Sequence, residues 1–199
     1  MKKYLLPGIL TILIAVGFLI RYEIVAPARA AARNLEAING IRVGETTEAE
    51  LLGRPPFQKM DRRCFQAECV YHMETDNKFL NRLHLAPITY MSTIVSVRNG
   101  MVTGVLVFAI KRGLPPISLK QVSTLPSECS SSPCVKRLMP PNKVLAGMSV
   151  LFKSDSDLRN QMPESMNPEC FSRLHGCSTY AELSPLTKSL NLDAVAALK

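Results

Sequence analysis

The chain of 199 residues has no tryptophan, and only 7 phenylalanines and 5 tyrosines. A surface that stacks sugars or nucleic-acid bases draws on more aromatic rings than this, so nucleic acid is not an expected partner. The sequence also has no G-x-S-x-G elbow, no H-E-x-x-H helix and no phosphate-binding P-loop. The common nucleophilic, zinc-hydrolytic and nucleotide-dependent mechanisms therefore have no recognisable carrier. C-x-x-C is missing too, and a thioredoxin-like redox centre or a zinc knuckle would need it. No cofactor is expected.

One long apolar run is present. After Lys2 and Lys3, an uncharged stretch extends from Tyr4 to Ile20 and is closed by Arg21. Seventeen residues make roughly 25 Å of helix, at the short end of a bilayer span. A cleaved signal has a core of about 7–15 residues. The run is therefore read as a signal anchor over residues 1–22. The alternative is a signal cleaved near Ala28 or Ala30, where Ala26-Pro27-Ala28 and Ala28-Arg29-Ala30 offer small residues in the right alternation. The layout places the bulk of the chain outside an inner membrane, facing the periplasm. Residues 23–40, ending at Gly40 and rich in Ala, Arg, Leu and Glu, read as a helical stalk. An extracytoplasmic domain over residues 41–184 and a tail over 185–199 complete the expected organisation.

Six cysteines fall in three close pairs: Cys64 and Cys69, Cys129 and Cys134, Cys170 and Cys177. An even count in an exported chain is read as a disulfide framework. Fifteen connectivities are open to six cysteines. Neighbour pairing is the expected one, with each bridge clamping a local turn.

The formal charge is +8, of which residues 31–199 carry +5. Such a balance suits an anionic envelope surface or an acidic envelope protein as partner, and equally a solvated face. Arg62 with Arg63, and Lys136 with Arg137, are the basic clusters beside cysteine pairs. Three histidines, His72, His84 and His175, are the candidate acid–base groups. His72 and His84, on expected strands with Asp61 or Asp76 near, would serve an envelope-polymer hydrolase. Ser154 to Asp157, "SDSD", reads as a helix N-cap rather than a calcium loop, which needs more oxygens at set offsets.

The fold class expected is α+β, with an antiparallel sheet of four to six strands and short flanking helices. Ile41 and Val43 read as a short strand. Thr47 and Glu50 form a capping-box pattern, Gly53 marks a helix end, and Pro55 and Pro56 stop the helix. On Gly44, Thr46, Leu52, Gly53 and Pro55 the segment resembles the start of the SmpA/OmlA (BamE-like) envelope family. That family has a Gly-x-Thr entry to a helix and a Leu-Gly-x-Pro exit ahead of an antiparallel sheet. The chain departs from it in the shortness of the helix, the lack of a lipid-bearing cysteine and the some 85 residues beyond the last clear hairpin, so no function is carried over.

Residues 69–73 and 79–86 read as strands joined by a polar turn. The strongest local signal is Asn99-Gly100 between two runs rich in Ile, Val and Thr, the preferred pair for a type I′ hairpin. Residues 117–125 and 144–152 read as further strands, 125–143 as a stapled loop and 153–162 as a short helix. Pro168 sits at a helix start. The strands around Asn99-Gly100 are the candidate edge for strand-addition by a partner. The overall expectation is a non-enzymatic binding or assembly module.

Overall fold

The computed structural model describes residues 5–84, 88–111, 116–138, 147–153, 166–171, 177, 179–184 and 190. The expected helix over 153–162 apart from Lys153, the "SDSD" stretch, His175 and nearly all of the 185–199 tail lie outside the described residues.

Helix α1 runs unbroken from Leu5 to Ile38. Its 34 residues extend about 51 Å. The first half, Gly8 to Tyr22, is exposed throughout, with Phe18 71% accessible. Half-burial starts at Ile24, and Ala31, Leu35 and Ile38 are buried. Pro27 has no N–H to give to the Glu23 carbonyl, yet the helix continues through it, within the stretch where contact with the domain begins. The segment read as a stalk is thus the second half of a single helix, and its inner face belongs to the core.

That core lies between α1 and one face of a seven-stranded sheet of order β1-β2-β3-β4-β5-β7-β6. The strands are β1 (Asp61–Phe65), β2 (Glu68–Asp76), β3 (Ile88–Arg98), β4 (Met101–Lys111), β5 (Ile117–Val122), β6 (Cys134–Leu138) and β7 (Gly147–Lys153). Tyr71, Met73, Met91, Val95, Val105, Val107, Leu119, Val150 and Phe152 face inward and are buried, as the period of two requires. Phe171, Tyr180 and Leu183, from a 3-10 turn at Pro168–Phe171 and helix α4 (Tyr180–Leu183), belong to the same cluster.

The expected antiparallel sheet of four to six strands is corrected to a mixed sheet of seven. β5 and β7 pair in parallel, Ile117 opposite Met148 through Val122 opposite Lys153. Parallel neighbours need a crossover of a dozen residues or more. The segment between them supplies it and deposits β6 on the far edge, antiparallel to β7. β7 is buried from Gly147 to Phe152 without alternation, the mark of a strand covered on both faces. β6 lies where the sequence suggests a loop, since its five residues follow a Pro- and Ser-rich stretch.

The hairpin at Asn99-Gly100 forms as expected: φ is +53° and +75° at the two turn residues, and Arg98 pairs with Met101. The expected strand at Ile41 and Val43 is corrected to a loop. Gly44, at φ +87°, turns the chain, and one isolated bridge joins Thr47 to Met101. This loop caps the far end of the core: the Gly44 N–H donates to the Val102 carbonyl at 2.7 Å and the Glu48 N–H to the Gly100 carbonyl at 2.8 Å. Helix α2 (Glu48–Leu52) opens on the expected capping box, with the Thr47 N–H donating to Glu50 Oε2 at 2.8 Å and the Glu50 N–H to Thr47 Oγ1 at 3.2 Å. Hydrogen bonds from Thr47 hold the exposed Glu50 carboxyl below its usual range.

The expected strand over 79–86 is corrected at its described residues to helix α3 (Lys78–Arg82). Asn77, fully buried before it, donates from Nδ2 to the Phe171 carbonyl at 2.7 Å. Asn81 Nδ2 donates to Asp76 Oδ1 at 2.6 Å. This anchoring ends β2 and turns the chain beneath α1.

Candidate functional site

Each cysteine lies at disulfide distance from its neighbour in sequence. Cα–Cα separations are 4.0 Å for Cys64–Cys69, 5.7 Å for Cys129–Cys134 and 5.2 Å for Cys170–Cys177. Cys64 and Cys69 face one another across the β1–β2 hairpin. The turn at its tip is Gln66-Ala67, with Gln66 at φ +54°, and next to it Phe65 is 75% exposed. Cys170 and Cys177, in contrast, are buried in the core cluster.

β1 is not legible in the sequence, because "DRRCF" carries three charges in five residues. The structure pins it to the domain through Arg62. Arg62 Nη2 donates to Glu48 Oε1 at 2.7 Å, and the guanidinium lies 5.8 Å from the centroid of the Tyr71 ring. The Tyr71 hydroxyl donates to the same carboxylate oxygen. Burial, then the hydrogen bond to Glu48, pushes the Tyr71 phenol up to about 12. A phenol raised in the folded state adds stability that is fully present below its unfolded value near 10 and is lost as pH rises through about 12. Tyr71→Phe is expected to cost about 1 kcal/mol at neutral pH through the lost hydrogen bond. It should also lose less stability than the wild type as pH rises through the window between those two values. Urea midpoints across that range test this; parallel curves for the two proteins would place the alkaline loss elsewhere.

On the opposite face of the sheet, His72, Glu74, Tyr90 and Ser92 form a polar cluster where β2 meets β3. Ser92 Oγ lies 2.6 Å from His72 Nε2, and Glu74 Oε1 lies 3.5 Å from the same nitrogen. The Tyr90 hydroxyl donates to Glu74 Oε1 at 2.8 Å, and burial with that bond raises its pKa. A hydroxyl–imidazole–carboxylate relay needs its two partners on the two different ring nitrogens. Here both address Nε2, so the histidine is cross-linked into the sheet surface. Asp61, the strand partner of His72 across β1 and β2, is held in an ion pair with Arg63 at 2.9 Å. His84 is exposed at the end of α3 with φ +56°, where its N–H donates to the Asn81 carbonyl at 3.0 Å. His72 and His84 stand on separate elements, one on β2 and the other in the turn after α3. Among the described residues no group of three or more His, Cys, Asp or Glu is spaced to hold a metal ion.

The surface around this cluster is polar at β1–β2 and apolar at β3–β4. Ile94, Leu106, Phe108 and Ile110 share the cluster's face and are half-buried. Farther along, Ser118, Ser149 and Leu151 on the same face are buried. β3 and β4 are paired on both sides. The Asn99-Gly100 hairpin therefore offers no edge for strand-addition, and the two edges of the sheet are β1 and β6. Lys136, on β6, is ion-paired with Glu128.

Grooves flank the second half of α1, two of them against the domain. One, of about 690 Å³, lies between the helix and the turn at Arg54–Pro56 and is lined by Ala30, Arg33, Asn34 and Ala37. Arg54 spans its end, donating to the Asn39 and Gly40 carbonyls at 3.1 and 3.3 Å, a cation at a helix C-terminus where it offsets the dipole. The other, of about 470 Å³, lies between α1 and the end of β2, beside Thr75, Asp76 and Lys78.

No protein-family model, no curated protein and no solved structure matches this chain. What the molecule itself defines is an α+β domain built on an apolar N-terminal helix of mean hydropathy 2.1 over its most apolar stretch, long enough to cross a membrane. Such a helix is compatible with a membrane anchor or a signal sequence, and the cysteine pairs suit an oxidising compartment.

Proposed function

We propose that the chain is an inner-membrane protein held by α1, with its domain in the periplasm, and that it acts as a non-enzymatic binding or envelope-assembly module. The observation that carries this reading is the continuity of α1. Its exposed apolar half passes without a break into a half whose inner face is core. Cleavage near Ala28 or Ala30 would cut that helix inside the segment that meets the domain, which favours an uncleaved anchor. The element best suited to a protein partner is the β1 hairpin: an edge strand, exposed along all five residues, stiffened by Cys64–Cys69 and carrying Phe65 at its tip. Strand addition along such an edge supplies affinity through the main chain.

Intact mass of the protein from membranes, before and after reduction, tests this. The expected result is an intact N-terminus and a gain of about 6 Da from three disulfides. A mass starting near Arg29 or Ala31 would overturn the anchor, and no gain on reduction would overturn the compartment. A second reading, an envelope-polymer hydrolase working through His72 and Glu74, draws on their 3.5 Å approach. It requires purified protein to release soluble fragments from envelope polymer and His72→Ala to abolish the release.

A further inference from the structure

Because α1 is continuous and embedded in the core, the height of the domain above the membrane is set by the helix rather than by a tether. Arg21 ends the apolar run, and half-burial begins at Ile24, one turn later. The end of the domain that meets this turn carries α3, which packs on α1. The groove that holds Lys78 and Asp76 is also lined by Ala26, Pro27 and Ala30. Arg33 lines it as well, so at 1.5 Å per residue Lys78 sits about 8–18 Å along the helix axis from Arg21. The headgroup layer is about 5–7 Å thick on each side of the hydrocarbon, and the long side chains of Lys and Arg extend toward it.

The composition of this end fits a charged lipid surface. Lys78, Arg82 and Leu83 are exposed on and just after α3, Leu83 by 49%. Arg21, Arg29 and Arg33 are exposed along α1. None of these five cations is ion-paired to a described residue, whereas Asp76 accepts from Asn81 and Glu74 from Tyr90. Glu23 and, one turn after Arg33, Glu36 are the further acidic residues exposed along the α1 turns that carry these arginines, and Glu36 lies on the side away from the membrane. A transmembrane helix tilts by about 20° on average, and its flanking contacts set the direction. Tilting α1 toward α3 lowers Lys78, Arg82 and Leu83 onto the headgroups.

We propose that α3 is a membrane-surface contact: Lys78 and Arg82 engage the anionic phospholipid headgroups of the leaflet from which α1 emerges, with Leu83 at the interface, fixing the tilt of the domain. This rests on the anchoring of α1.

The absence of tryptophan makes the test direct. Leu83→Trp and, separately, Phe18→Trp each place a single indole in the full-length chain, reconstituted in vesicles of phosphatidylcholine alone or mixed with phosphatidylglycerol. Lipids brominated high on the acyl chain are the quenchers. The expected result is quenching of Phe18→Trp in both compositions, and of Leu83→Trp chiefly with phosphatidylglycerol. Adding Lys78→Gln and Arg82→Gln to Leu83→Trp is expected to shift its contact equilibrium by about 25-fold, about fivefold for each cation, toward the value in phosphatidylcholine. Raised salt should act in the same direction. Leu83→Trp unquenched while Phe18→Trp is quenched overturns the α3 contact and leaves the anchor standing. Equal quenching in both lipids, indifferent to the two glutamines, overturns the recognition of anionic headgroups. Phe18→Trp unquenched overturns the anchor and the contact with it.

Discussion

A chain that begins at Ile24 is expected to fold cooperatively in water, and one that begins at Asn39 is expected not to fold. The difference between them is the inner face of α1: Ala31, Leu35 and Ile38, all buried, with Ala28 and Ala37 packed against the same cluster. Truncating one buried Leu or Ile to Ala costs about 2–5 kcal/mol, against a total stability of about 5–15 kcal/mol for a domain. Removing the whole helix uncovers the sheet beneath it and also loses the bond that Asn34 Nδ2 donates to Thr75 Oγ1 at 2.9 Å. Urea unfolding followed by circular dichroism decides the point. A single sigmoidal transition of equal midpoint in both chains would mean that α1 is a tether and not a part of the core. The shorter chain lacks nearly all of the region that reads from sequence as a stalk, so the experiment also separates those two pictures.

The second large effect is expected at the buried cysteine pair. The three bridges close loops of similar length, with separations of 5, 5 and 7 residues. Their entropic restriction of the unfolded chain is therefore nearly the same, about 2 kcal/mol each on the loop-closure model. Burial separates them. Cys170 and Cys177 are 1% and 0% exposed, in a segment that packs on α1 and receives the Asn77 hydrogen bond at Phe171. Cys64 sits on a strand exposed along its length. Replacing Cys170 and Cys177 by alanine adds the loss of buried sulfur contacts to the lost cross-link and is expected to cost about 3–5 kcal/mol. The same change at Cys64 and Cys69 is expected to cost about 2 kcal/mol. Thermal unfolding of the two double variants under oxidising conditions measures the difference, and equal losses would show that burial contributes nothing beyond loop closure.

Features governed by near neighbours in the chain are legible in the sequence. Asn99-Gly100 requires a turn with positive φ at both positions whatever surrounds it. Thr47 and Glu50 satisfy each other's backbone donors within four residues. The apolar run from Tyr4 to Ile20 is helical and outward-facing in its described part, and its composition alone makes it long and apolar enough to cross a membrane. The cysteine pairing also reflects chain proximity, since short loops close at little entropic cost. Residues 79–86 show where local reading fails. Their apolar spacing suits a strand or a helix of this length equally. Asn77 decides the matter, through a carbonyl 94 residues away in sequence.

The polar cluster of the outer face is half legible. His72 stands out in the sequence as a candidate. Glu74, two residues on along the same strand, shares its face by the strand period, but the histidine's partner Ser92 depends on the β2–β3 register, which pairs Glu74 with Ser92 and His72 with Ile94. No spacing in the sequence encodes that register. The role of Arg62 is hidden for the same reason, because its partners Glu48 and Tyr71 lie on two other elements.

By itself, then, the sequence determined an apolar helical N-terminus, a type I′ hairpin, a capped short helix and three local cysteine pairs, all of them interactions whose closure entropy is small. Tertiary structure alone decided that the second half of α1 is core, that β7 inserts between β5 and β6 in parallel with β5, that β1 and not the central hairpin is an edge, and that α3 packs beside the turn of α1 where burial begins. Each of these is settled by the burial of apolar surface between segments far apart in the chain. That free energy depends on which faces meet, and no local pattern of residues specifies the meeting.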